Sequence, residues 1–210
     1  MLKLYYAPHT CALASHIALE EAGANYETVR MSFQSGDQKK PDYARINPKA
    51  RVPSLETDRG VLTETPAILA FIAQTFPASK LAPVDDSFEF ARAQAFNSYL
   101  CSSVHVAHAH RMRGYRWVDA AEEAAIKAMQ KKVPQSVGEC FGLIEREMLA
   151  GPWVMGETYT ICDAYLFTLA QWLEADGVDV AKIPRVIEHR ARVAARSAVK
   201  KAIEAETAGN

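Results

Sequence analysis

Cys11 is the residue in this chain best placed to do chemistry. It follows Tyr5-Tyr6-Ala7-Pro8-His9-Thr10, a short apolar run and a proline-set loop, and it precedes the helix-forming run Ala12 to Ala22. At a helix N-terminus, unpaired first-turn N–H groups and the helix dipole favour negative charge. That position suits a reactive thiolate, or a thiol that donates to another thiolate. The competing reading is a small buried hydrophobe, the usual fate of a free cysteine.

A second set of candidates lies mid-chain. His105 and His108 are three residues apart on one helical face. Such a pair can ligate metal, but no carboxylate lies within a turn to complete the set, and no metal is expected. The plainer reading is polar lining of a cleft between domains. Downstream, Arg111, Arg113 and Arg116 sit with Tyr115 and Trp117. Basic residues interleaved with aromatics can bind nucleic acid, although most such runs are solvated helix faces or counter-charge for a small anion. Elsewhere, Glu64-Thr65-Pro66 reads by itself as a plain helix start, with Thr65 as N-cap and Pro66 in the first turn.

The elements that must position these residues divide into two parts. Lys3 to Tyr6 reads as a strand, Ala12 to Ala22 as a helix stopped at Gly23, and Tyr26 to Phe33 as a second strand, a βαβ unit with parallel strands. Ser35 to Lys49 reads as a long loop with one helical turn near Pro41 to Arg45. Arg51 to Glu56 and Val61 to Thr63 form an antiparallel hairpin around Asp58-Arg59-Gly60, and a helix follows from Thr65 to Phe76. Pro53 at a strand start marks an edge or a special peptide conformation. Beyond Pro77 strand signals vanish. Phe88 to Arg113 reads as one long helix, Asp119 to Leu149 as another bent at Pro134, and Thr160-Ile161-Cys162-Asp163 as a capping box before an apolar helix. Two further helices begin near Pro184 and Ala198.

Composition narrows the function classes. The chain has 210 residues, is 49% hydrophobic and 23% charged, and carries a formal net charge of −1, so it offers no global field for nucleic acid or an acidic membrane. Neither partner is expected. The first residues lack the apolar core of a signal peptide, and no stretch approaches the roughly 18 apolar residues of a membrane span, which predicts a cytoplasmic protein. Cys11, Cys101, Cys140 and Cys162 show no C-x-x-C pairing, as expected for reduced thiols.

The βαβ–ββα unit, the strand-entering proline, the linker and the helical domain with its T-x-x-D box together resemble the cytosolic glutathione transferases over essentially the whole chain. Tyr5-Tyr6-Ala7-Pro8-His9-Thr10-Cys11 before the first helix is similar to the bacterial beta class, whose cysteine falls on Cys11. The resemblance implies an α/β thioredoxin-like N-terminal domain (residues 1–77), a linker (78–87) and an all-α domain (88–210). Asn47-Pro48-Lys49-Ala50-Arg51-Val52-Pro53-Ser54-Leu55 resembles the family segment with a cis proline peptide, in which Val52 pairs through its backbone with the cysteinyl part of glutathione. Ala50 stands where glycine is usual.

Glu64-Thr65-Pro66-Ala67-Ile68 resembles the family's clamp for the γ-glutamyl group. The implied glutathione-binding residues are Thr10, Cys11, Arg51, Val52, Pro53, Glu64, Thr65 and His105. His105 falls where beta-class enzymes place a histidine near the glutathione sulfur. Cys11, His105 and one of Tyr5 and Tyr6 are the implied catalytic groups, and His9, His108, Arg111, Tyr115 and Trp117 the implied electrophile pocket. The implied activity is conjugation of the glutathione thiolate to soft electrophiles in detoxification, by a homodimer with glutathione as co-substrate and no tightly bound cofactor. Two alternatives stay open: thiol–disulfide exchange at Cys11, which with no second cysteine nearby glutathione must resolve, and binding of glutathione or apolar ligands without turnover.

Overall fold

The computed structural model describes residues 1–208. Its sheet has the strand order β2-β1-β3-β4, built from β1 (Leu2–Tyr6), β2 (Tyr26–Arg30), β3 (Ser54–Thr57) and β4 (Gly60–Thr63). β1 runs parallel to β2, with Leu2 opposite Tyr26 and Tyr6 opposite Arg30, and antiparallel to β3, with Leu4 opposite Leu55. β3 and β4 pair as a hairpin. The third strand starts later than the sequence predicts, because Pro53 has no N–H to give to a ladder. The Val52–Pro53 peptide is cis and lies just ahead of β3. β2 likewise ends at Arg30, short of Phe33.

Between β1 and β2 runs α1 (Ala12–Glu21), and it is covered on all sides: every residue from Ala12 to Leu19 is buried. One side meets α3 (Thr65–Thr75); another meets α7 (Ile161–Ala170) and α9 (Ser197–Thr207) of the helical part. Buried His16 pairs with buried Glu206 at 3.1 Å, and Lys201 with Glu20 at 2.7 Å, so α1 is fastened to the far end of the chain. Burying an ion pair without a partner costs several kcal/mol, which makes these pairings specific. α2 (Pro41–Ile46) sits in the long loop.

Asp86 opens α4 (Ser87–Tyr99) by accepting from the N–H groups of Phe88 and Glu89 at 3.0 Å. The predicted single helix to Arg113 is interrupted at Leu100–Val104 by a π-helical turn, after which α5 (His105–Arg113) continues. α6 (Glu123–Leu143) runs through Pro134 and also ends in a π-helical turn, Ile144–Met148. The capping box of α7 is present: Thr160 N–H donates to Asp163 Oδ2 at 2.7 Å, and Cys162 N–H donates to the Thr160 hydroxyl. α8 (Pro184–Ala194) lays His189 against Asp163 at 2.8 Å. Among the described residues, no helix is long and apolar enough to cross a membrane.

Candidate functional site

A cleft of about 770 Å³ opens between the sheet-bearing part and the helical part. Its floor is the turn from β1 into α1. Thr10 donates to the Ala7 carbonyl at 2.7 Å and accepts from Ala12 N–H, which fixes the loop and sets Cys11 as the residue preceding the helix. His9 holds a φ of 60° in this turn.

Cys11 is only 8% exposed, and its thiol points to the Val52 carbonyl, with Sγ and O 3.5 Å apart. The helix-terminus argument predicts a lowered pKa, and this is overturned. Burial pushes the thiol up to about 11, ahead of the opposing hydrogen bond from the Thr65 hydroxyl. Removing the sulfur from water costs the anion more than one helix start and one hydroxyl return. Cys11 is a neutral donor, and the proton it offers rests on Val52.

Glu64 and Thr65 form the opposite wall. Glu64 has φ 72°, outside the range that side chains ordinarily tolerate, and is itself the residue before the helix; Thr65 is the first helical residue and not the cap. Such a strained residue persists only where the surroundings hold it, and here Lys49 grips its carboxylate at 2.7 Å. The strain leaves the first N–H groups of α3 facing the cleft with no side-chain cap, beside the Thr65 hydroxyl. Ala50 also lies in the left-handed region, at φ 54°, which is the physical reason a glycine suits that place.

The helical side brings His105, His108, Tyr115 and Trp117 to the cleft, together with Arg113 and Arg116. Burial, with His108, Arg116 and Arg51 as neighbouring positive groups, pushes His105 down to about 4. At neutral pH it is therefore an uncharged imidazole that can donate through N–H but carries no cation. His108 stacks on Trp172, ring centroids 4.1 Å apart, and His105 meets the same indole at 5.3 Å.

Of the residues singled out from sequence, Thr10, Cys11, Arg51, Val52, Pro53, Glu64, Thr65 and His105 all line this one cleft, as do His9, His108, Tyr115 and Trp117. Three do not. The Tyr5 hydroxyl donates to Glu56 at 2.9 Å, Tyr6 packs its ring on His16, and Arg111 lies behind the wall, 3.6 Å from Asp176. β1 lies inside the sheet, so its two tyrosines are spent on packing and on a neighbouring strand.

The structure supplies a different tyrosine. Tyr165 of α7 lines the cleft, and its hydroxyl engages the thiol of Cys101. Cys101 also faces the cleft and lies close enough to Cys11 for the two to repel as anions, which corrects the expectation of no second cysteine nearby. Neither residue carries a sequence signal: Tyr165 sits inside an apolar helical run, and Cys101 is ninety positions from Cys11 by subtraction of their numbers.

Residues 1–74 match the family model described as the glutathione S-transferase N-terminal domain. Over the full length, the chain is 32% identical to the glutathione S-transferase GstA of Escherichia coli O157:H7, covering 98% of each. It superposes on a glutathione transferase homologue from Sulfitobacter solved with bound glutathione, at a TM-score of 0.91 and 40% identity over 96% of both chains. A bacterial beta class glutathione S-transferase from Sphingomonas chungbukensis matches at a TM-score of 0.85 and 31% identity, covering 98% of each chain.

Proposed function

Since this chain belongs to the glutathione S-transferase family, we propose that its cleft binds glutathione and conjugates the thiolate to soft electrophiles, as a beta-class enzyme does. The observation that carries this reading is the convergence of three local devices on one point: the Cys11 thiol, the Val52 carbonyl that it touches, and the uncapped start of α3 at Thr65. No two of them are neighbours in sequence.

The γ-glutamyl carboxylate fits the first N–H groups of α3 and the Thr65 hydroxyl, while Glu64 takes the ammonium. The cysteinyl N–H then takes the Val52 carbonyl. That exchange releases the Cys11 S–H, which turns to the glutathione sulfur. The task is to hold that sulfur as a thiolate, and each unit of pKa lowering needs about 1.4 kcal/mol of preference for the anion. Cys11, the N–H groups at the start of α1 and a neutral His105 N–H are the donors. Arg51, Arg113 and Arg116 add a positive field. An aromatic electrophile then lies on the helical side, over His108, Tyr115 and Trp117.

The same reading sets residues 1–77 as the glutathione-binding unit, 78–87 as linker and 88–210 as the electrophile-binding unit. It describes a cytoplasmic homodimer with a detoxifying role, whose shared face includes α4, where Phe88 is 71% exposed. Disulfide exchange is not favoured, because the neutral Cys11 thiol is a poor nucleophile. The test compares glutathione conjugation to a chloronitrobenzene by the wild type and by Cys11→Ala. Activity in the wild type that falls but persists in the variant is expected. No activity in either rejects the reading.

A further inference from the structure

His108 is held by a group that the glutathione reaction as described above does not use. Asp176, in the turn beyond α7, is 4% exposed, and its two carboxylate oxygens lie 2.7 and 3.0 Å from His108 Nδ1. A carboxylate only accepts, so Nδ1 carries the hydrogen and Nε2 is left as the working atom. Nε2 makes no hydrogen bond among the described residues, and the ring lies along the cleft on Trp172 with an interplanar angle of 22°. A buried carboxylate fixing the tautomer of an imidazole whose other nitrogen faces a substrate cavity is the arrangement of an acid–base group.

Its place along α5 identifies which substrate it serves. His105 lies near Glu64 and Arg51, on the glutathione side. His108 is one turn further on, with its ring 6.3 Å from that of His105, over the space left for the electrophile. Displacement of chloride from an aromatic ring needs no proton, since the leaving group departs as an anion. Addition to a conjugated carbonyl does.

We propose that His108, positioned by Asp176, is a general acid for addition of the glutathione thiolate to α,β-unsaturated carbonyl substrates that carry a carboxylate. The assignment rests on the glutathione reading given above. In the step, the sulfur lone pair forms the C–S bond at the β-carbon and the C=C π pair moves into the enolate. The proton on His108 Nε2 passes to that enolate, giving the saturated carbonyl adduct and a neutral imidazole. Solvent then returns a proton to Nε2. The carboxylate preference follows from Arg113 and Arg116. Both line the cleft on the helical side and neither is ion-paired among the described residues, while the like charges of Arg51 and Arg113 crowd Arg116. Glutathione brings only one carboxylate, that of its glycine, to this end of the site.

His108→Asn tests the role without disturbing the fold, because the amide keeps an N–H donor for Asp176 and deletes only the far side of the ring. The wild type and variant are assayed with a chloronitrobenzene and with an aryl vinyl ketone bearing a carboxylate. General acid catalysis is worth about 10²–10⁴-fold, so kcat for the enone is expected to fall about 100-fold more than kcat for the arene. Asp176→Asn, which lets the ring turn, should lose part of the same ratio. In the wild type, the enone reaction should show a solvent deuterium isotope effect that the arene reaction lacks. Equal losses on both substrates, or no loss on the enone, overturn the acid role. Masking the carboxylate as a methyl ester should raise KM by about tenfold, the loss of one charged contact; equal KM values overturn the preference for an anion. A wild type active on the arene and inactive on the enone sinks this inference alone. One active on neither sinks the glutathione reading with it.

Discussion

Asp163 and Asp176 each hold a histidine at hydrogen-bond distance, and the two pairs are put to opposite uses. Asp163 is fully buried and accepts from His189, the backbone N–H groups of Val154 and Thr160 and the Thr160 hydroxyl, so its oxygens are saturated from three elements. Asp176 holds one imidazole whose second nitrogen looks into a cleft. A closed network specifies packing, while an open one leaves an atom free to react. The difference lies in what surrounds the pair and not in the pair itself.

The largest expected effect breaks the closed pair. Asp163→Ala strands four donors in the core and should cost about 3–5 kcal/mol of stability, measured by urea unfolding. His108→Asn should shift the same midpoint by well under about 1 kcal/mol, since its ring lies at a cavity and its contact to Asp176 is kept. A loss as large as that of Asp163→Ala would erase the distinction between the two pairs.

Within the cleft, Cys11→Ala removes one hydrogen bond to a developing thiolate, worth about 1.5–3 kcal/mol, and should lower conjugation by about 10–100-fold. The accompanying rise in the pKa of bound glutathione is readable from thiolate absorbance. Thr65→Val should act mainly on KM for glutathione, raising it by about tenfold through a lost contact to carboxylate.

Acid should separate His105 from its surroundings. Its folded pKa of about 4 lies below the ordinary value of 6.5, so the unfolded chain takes up a proton that the native state refuses. The associated stability is complete above the unfolded value and is lost as pH falls from 6.5 towards 4. In paired urea titrations over that window, wild type should lose stability that His105→Gln retains. The smallest effect is Ala50→Gly, expected to stabilise by about 1 kcal/mol through relief of a left-handed backbone.

The two pairs also mark how far the sequence could be read. Thr160 and Asp163 are three apart, and their relation is a property of one helix start, visible before folding. The same holds for Cys11 before α1 and for Glu64-Thr65-Pro66 before α3, which is why the glutathione side of the cleft was legible almost whole. His108 and Asp176 are separated by 68 positions, and no periodicity relates them. Cys101, Tyr165 and Trp172 were missed for the same reason: each looks like core until packing turns it to the cavity. The strand expected from Arg51 began late because of one proline. The tyrosines of β1 were misjudged because alternation says which residues share a face and not what covers it.

The π-helical turn at Leu100–Val104 carries a consequence for how this site can vary. An α-helix rotates about 100° per residue, and a π turn holds roughly one residue more than an α turn. The extra residue therefore sets the azimuth of everything after it. Deleting Ser102 would let the helix run straight from Ser87 to Arg113 with its length and helicity nearly intact, yet swing both imidazoles about a quarter-turn off the cavity. One inserted residue serves here as an aiming screw, letting α4 keep its own packing face while α5 presents another.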